Sequence, residues 1–214
     1  MDLPSRPPRT PGSPALRAAW STTLIRLLPS PPARILSIGA STGFLSLTLA
    51  RLGYRVTVLD PAEDATDPPT GDFDAVTEQH ALLTMLDPAA ALSAWLEAAP
   101  AGRLALFESL SAGPNHPVEE ARASRRELLR RLRDPEADHQ GSYTPEPRAA
   151  RTTPEQLADL VAATGWGPAQ IHRLTDVEWA CAQDLPPLER LYGVTPCFGI
   201  VADAVSLRAP RPEY

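Results

Sequence analysis

The stretch from Arg34 to Asp60 constrains the fold of this chain more than any other. Arg34-Ile35-Leu36-Ser37-Ile38 is an apolar run that ends in the small-residue turn Gly39-Ala40-Ser41-Thr42-Gly43. A helical segment from Leu45 to Leu52 follows, and then a second apolar run, Tyr54 to Leu59, closed by Asp60. Strand, glycine turn, helix, strand and acid open an α/β sheet of the nucleotide-binding kind. Small residues in its turn let the backbone approach a ligand, while the helix N-terminus presents N–H donors. The next strand-like segment begins at Phe73, so the connection is only the twelve residues Pro61 to Asp72. Fully extended, a segment of that length reaches roughly 40 Å. That suffices to run back along a strand of about 17–20 Å and step over two strand spacings of about 5 Å each. It does not also hold a helix, a strand and another helix. One strand of the usual arrangement is therefore expected to be missing, which leaves residues 55–59 on a sheet edge where an apolar strand invites pairing with another chain.

The chain has 214 residues, of which 43% are hydrophobic, enough for one sizeable core. A single domain over 14–208 is expected, with 1–13 and 209–214 as tails; the first thirteen residues hold four prolines and no apolar signal segment. A net charge of −6 argues against a protein that wraps nucleic acid by neutralising phosphates. Every cation is arginine, so Schiff-base and phosphate-loop lysine chemistry is absent. Cys181 and Cys197 are too few and too far apart for a disulfide framework or a zinc site, and no metal-ligand spacing is legible. With no run near the roughly 18 apolar residues of a membrane span, a soluble, cytoplasmic protein is the expectation.

Apolar positions 16, 20, 24, 27 and 28 predict a lead helix over Pro14–Leu28, stopped by Pro29, Pro31 and Pro32. Strands are predicted at 73–77, 102–108, 171–174 and 197–204. Asp87-Pro88 begins a helix to Ala98 with the acid as N-cap. Thr153-Pro154-Glu155-Gln156 begins another, to Thr164, with a capping box, and Gly165 ends it. A further helix is predicted over 118–133, carrying Arg122, Arg125, Arg126, Arg130, Arg131 and Arg133. Such a run is ordinarily a solvated helix face, with an anionic ligand or acidic partner as the alternative. Trp95, Trp166 and Trp179 read as core or helix-packing residues.

In order and spacing, Gly39 to Gly43, Asp60, Phe73-Asp74-Ala75-Val76, Asp87-Pro88, Gly102-Arg103-Leu104 and Thr153-Pro154-Glu155-Gln156 resemble the class I S-adenosylmethionine-dependent methyltransferases of the bacterial small-molecule type. The resemblance covers nearly the whole chain from Arg34 onward. It implies a Rossmann-like, mostly parallel sheet with an antiparallel last strand, here lacking the third strand and its flanking helices. It also implies that Ser37, Gly39, Ala40, Ser41, Thr42, Gly43, Asp60 and Gln79 bind S-adenosylmethionine, Asp60 through the ribose hydroxyls. The family motif is acid-x-Gly-x-Gly-x-Gly; Ser37 replaces its acid and Ser41 its middle glycine. Loss of the acid removes a charge-assisted hydrogen bond to the methionine end.

Methyl transfer depends mostly on placing the acceptor in line with the sulfonium methyl group, so a general base is optional. His80, just past its strand, is the candidate base; the alternative is a hydrogen-bonded histidine at a strand end. Glu78 is not read as its partner, and Glu108 reads as a residue that satisfies loop backbone. His116, His139 and Tyr143 are either acceptor-pocket or surface residues, and Trp20 is a candidate cap on the cofactor cleft. The expected function is transfer of a methyl group to a small-molecule O, N or C acceptor in secondary metabolism. The alternative is an inactive methyltransferase-like subunit that stabilises or regulates another enzyme in a homo- or hetero-oligomer. Reuse of the pocket for another reaction, such as a cyclisation, is a third possibility without a positive sign in the sequence.

Overall fold

The computed structural model describes residues 12–39, 43–60, 72–110, 152–190 and 193–205. The predicted helix at 118–133 and the residues Ala40, Ser41, Thr42, His116, His139 and Tyr143 lie outside them. The chain opens with α1 (Pro14–Leu27), whose first turn is capped by the Ser13 hydroxyl accepting from Leu16 N–H. Then come β1 (Arg34–Ile38), α2 (Phe44–Arg51), β2 (Arg55–Leu59), β3 (Ala75–Gln79), a single 3₁₀ turn at Leu82–Thr84, α3 (Pro88–Ala98) and β4 (Arg103–Ser109). The chain closes with α4 (Pro154–Ala163), β5 (Gln170–Arg173), α5 (Thr175–Asp184), α6 (Pro187–Arg190) and β6 (Cys197–Asp203).

The strands form one sheet in the order β2-β1-β3-β4-β6-β5. The first four run parallel, while β6 is antiparallel to both β4 and β5. Among the described residues β2 is the outermost strand on its side, as the short 61–72 connection implies. β3 starts two residues later than predicted, because Asp74 is used before the ladder begins: its carboxylate accepts from Arg34 N–H at 2.7 Å.

Side-chain alternation along the central strands splits the core in two. Ile35, Ala75, Ala105 and Phe107 face a layer made by α1, α2 and α5, with Trp20, Leu24, Leu49 and Val177 packed on them. Leu36, Ile38, Val76, Leu104 and Leu106 face α3 and α4, where Leu92, Trp95, Leu157 and Val161 cover them. The two predicted N-caps are present: Asp87 accepts from Ala90 N–H, and Thr153 and Gln156 close a reciprocal box.

Three tryptophan readings resolve differently. Trp95 and Trp166 are buried, and Trp166 Nε1 donates to the Leu92 carbonyl at 3.0 Å. Trp179 is 61% exposed, because α5 turns Val177 and Ala180 inward and position 179 falls on the outer side. Trp20 is a core residue rather than a cleft cap: its ring meets Phe107 edge-on, with centroids 5.1 Å apart.

Candidate functional site

Strand order reverses direction about β1, with β2 on one side and β3 on the other, so the crevice beyond the carboxyl ends of β1 and β3 is the topological switch point where open α/β sheets take ligands. Gly39 leaves β1 there with φ +89°, a left-handed conformation that favours glycine. A Cβ on it would stand 2.6 Å from the Gln79 carbonyl oxygen and 3.0 Å from Ala81 Cβ. The turn is thus pressed against the end of β3. Gly43, the N-cap of α2, is also left-handed at φ +63°, and a Cβ there would meet nothing within 4 Å. The first position of α2 therefore presents open space on that side. Asp60 follows directly on β2 and is exposed, and Gln79 is the half-buried last residue of β3.

Ser37 takes a different place. It lies on the α2 side of β1, 1% exposed, and its hydroxyl is 3.0 Å from that of Ser46 on α2. A carboxylate at this position would project beneath the turn; the serine instead ties strand to helix. The alternation of β1 carries the signal, since Ile35 and Ser37 share a face.

His80 comes immediately after β3 with φ +57°, the only non-glycine residue with positive φ among those described. Such a conformation costs of order 1–3 kcal/mol and persists only where the surroundings impose it. Here its N–H donates to the Phe107 carbonyl at 3.2 Å, while its half-exposed imidazole lies with Nδ1 3.3 Å from Glu108 Oε2. Glu108 is thus the partner of His80 rather than a residue that satisfies loop backbone.

Glu78 is fully buried, and its Oε1 accepts from the N–H groups of Ala81 and Leu82, capping the turn that follows. Burial raises its carboxyl well above the usual carboxylate range, and the nearby Glu108 raises it further; the two backbone donors oppose this without cancelling it. The pairing of Glu108 with His80 was not legible, because sequence spacing does not reveal which residues of β3 and β4 stand side by side. An acid inside each of two apolar strands was the available signal.

Among the described residues, no group of three or more His, Cys, Asp or Glu side chains is disposed to hold a metal ion. Burial pushes the Cys197 thiol up to about 12, far from a thiolate at neutral pH. No described helix is long and apolar enough to cross a membrane.

The sequence profile of a family described as "Methyltransferase domain" matches residues 15–167. No curated protein matches the sequence. Among solved structures, the [4+2]-cyclase SpnF superposes with a TM-score of 0.56 at 16% identity, over 88% of this chain and 81% of that one. A chain of the Haloferax volcanii complex containing the Trm112 methyltransferase activator gives 0.54 at 13% identity, over 87% and 90%. An N-methyltransferase 2 from Haemonchus contortus, bound to phosphomonomethylethanolamine and S-adenosylhomocysteine, gives 0.54 at 12% identity, over 91% and 53%. At these identities the structures speak for the fold, and the profile, which spans well over half of the sequence, speaks for the family. This chain belongs to the S-adenosylmethionine-dependent class I methyltransferases.

Proposed function

We propose that the chain transfers a methyl group from S-adenosylmethionine to a small-molecule acceptor at the switch-point crevice, with His80 as general base. The observation that carries this reading is the meeting of two left-handed turns, Gly39 and His80, at the ends of adjacent strands, with a buried carboxylate behind the imidazole. The residues fit the cofactor on one structural count in particular: Gly43 opens α2 in a left-handed conformation, and a Cβ there would meet no described atom within 4 Å. The turn from Gly39 through Ala40, Ser41 and Thr42 to Gly43 would hold the methionine end, Asp60 the ribose, and Gln79 the rim. Ser37 supports the turn from beneath. When bound, S-adenosylmethionine supplies an electrophilic methyl carbon on a positively charged sulfur. His80 takes the acceptor proton, and Glu108 faces the resulting imidazolium. A small-molecule acceptor is in keeping with the neighbour that holds phosphomonomethylethanolamine, and a place in secondary metabolism is part of the same proposal.

Calorimetric titration with S-adenosylmethionine and S-adenosylhomocysteine tests the reading. Micromolar binding is expected, weakened about tenfold to a hundredfold in Asp60→Ala, the equivalent of one charge-assisted hydrogen bond of about 1.5–3 kcal/mol. A folded protein that binds neither compound overturns it.

One observation favours a second role, that of a partner subunit. β2 is the outermost described strand on its side, and Val58 on it is 54% exposed. An apolar strand edge is a template for another chain. Dimers or larger assemblies are expected across the micromolar range by light scattering, and Val58→Lys, which places a charge on that edge, is expected to shift the mass towards the monomer. A wild-type protein that is monomeric throughout excludes pairing through this edge.

A further inference from the structure

Two acids lie behind His80 that neither the core nor the cofactor turn requires. β3 and β4 run parallel with Glu78 opposite Leu106, so Glu108 stands two residues further along the neighbouring strand and on the same face as Glu78. For strands about 4.8 Å apart with a rise of about 3.3 Å per residue, that diagonal is roughly 8 Å between Cα atoms, within reach of two glutamate side chains. Each acid has one oxygen engaged: Glu78 Oε1 with backbone N–H groups, and Glu108 Oε2 with His80 Nδ1. The other oxygen of each, Glu78 Oε2 and Glu108 Oε1, is buried and has no partner.

Buried polar atoms are ordinarily hydrogen-bonded, and each exception calls for a physical reason. Two carboxylates that share a buried site do not both ionise, because desolvation and mutual repulsion both act against the second charge. One proton answers both orphans together: an O–H on either acid donates to the bare oxygen of the other. Glu78, whose carboxyl burial raises well above the usual carboxylate range, is the acid that keeps the proton.

We propose that Glu78 and Glu108 hold a single proton between their unpartnered oxygens, and that Glu108 thereby positions His80 with Nδ1 inward and Nε2 free towards the crevice. Glu78 and Glu108 are positioning residues; His80 is the group that meets the acceptor. Taken together with the methyl-transfer reading, on which this part rests, the arrangement selects acceptors that must lose a proton as they are methylated. A hydroxyl is the clearest case. Its O–H bond breaks, the proton goes to Nε2, and the oxygen bonds to the methyl carbon while the carbon–sulfur electron pair leaves with sulfur. A tertiary amine or thioether has no proton to lose and gains nothing from such a base.

The proton pair is tested on the full-length protein without cofactor or acceptor, by infrared spectroscopy with ¹³C-carboxyl-labelled glutamate and by ¹⁵N NMR of the imidazoles. The expected results at neutral pH are the C=O stretch of one protonated glutamate, lost in Glu78→Gln, and a hydrogen-bonded Nδ1–H on His80, lost in Glu108→Leu, which has no acceptor, and kept in Glu78→Gln. A merely structural role for Glu108 would not move the His80 signal while the fold, checked by circular dichroism, stays intact. Absence of the protonated band in the wild type overturns the proposal, whether or not either variant folds. So does a band that survives in Glu78→Gln, or an Nδ1 signal unchanged in Glu108→Leu. Both readouts are independent of cofactor binding, so a chain that shows them yet binds no S-adenosylhomocysteine loses the methyl-transfer reading and keeps the proton pair.

Discussion

Phe107→Ala is expected to destabilise the protein by about 3–5 kcal/mol, as deletion of a fully buried aromatic ring does. Phe107 is 0% exposed in β4, between two other strands of the sheet, and its ring is what the lead helix rests on, with Trp20 edge-on against it. Such an aromatic pair adds about 0.5–1.5 kcal/mol beyond its buried area. Gly199 stands opposite in β6, where an added Cβ would come 3.2 Å from Leu27 Cδ1 and 3.6 Å from Phe107 Cε1. Alanine leaves a cavity that Gly199 has no side chain to fill. A protein of this size has about 5–15 kcal/mol of stability in total, and each kcal/mol lost lowers its melting temperature by about 2–4 °C. Urea unfolding should show the midpoint fall with an unchanged slope. A loss below about 1 kcal/mol would mean that α1 is not docked on this ring.

Gly39→Ala is expected to cost comparably and to abolish binding of S-adenosylhomocysteine, measured by calorimetry, while Gly43→Ala serves as the control for its loss of stability. At Gly39 the added methyl group meets the Gln79 carbonyl at 2.6 Å, and backbone of a central strand has little room to give. Overlap of this kind costs about 1–3 kcal/mol, on top of about 1–2 kcal/mol for forcing alanine into the left-handed region. At Gly43 only the conformational cost applies, because nothing lies within 4 Å. If the two variants are equally stable, the close approach of turn and strand is absent in solution.

Much of the fold was legible because its signals are local. Asp87-Pro88 and Thr153-Pro154-Glu155-Gln156 cap their helices through residues three positions away, and the spacing itself states the interaction. That β2 is the outermost strand on its side among the described residues also followed from local evidence, a connection too short to contain another strand with its helices. Helix α5 went unread because it buries only Val177 and Ala180, too narrow a stripe to show periodicity, and the same helix carries Trp179 outward. Of the candidate site, the glycine turn at Gly39 and Gly43 and, separately, His80 past its strand could be named from local sequence, and the structure shows all three with positive φ. The links of His80 to Glu108 and of Ser37 to Ser46 span 28 and 9 residues and arise only when strand register and helix docking are set.

His80 obtains its place from the main chain. A left-handed step at the end of β3, a bond to the Phe107 carbonyl and a cap supplied by Glu78 decide where the ring can stand, and all three belong to two adjacent strands of the sheet. The placing of the imidazole is thereby separated from the shape of the surrounding loops. The segments that join strands and helices are free to change in length and composition, and with them the range of molecules admitted, while the imidazole keeps its height and heading. On the proposed role of His80, a scaffold divided in this way would keep its base while the acceptors it admits change.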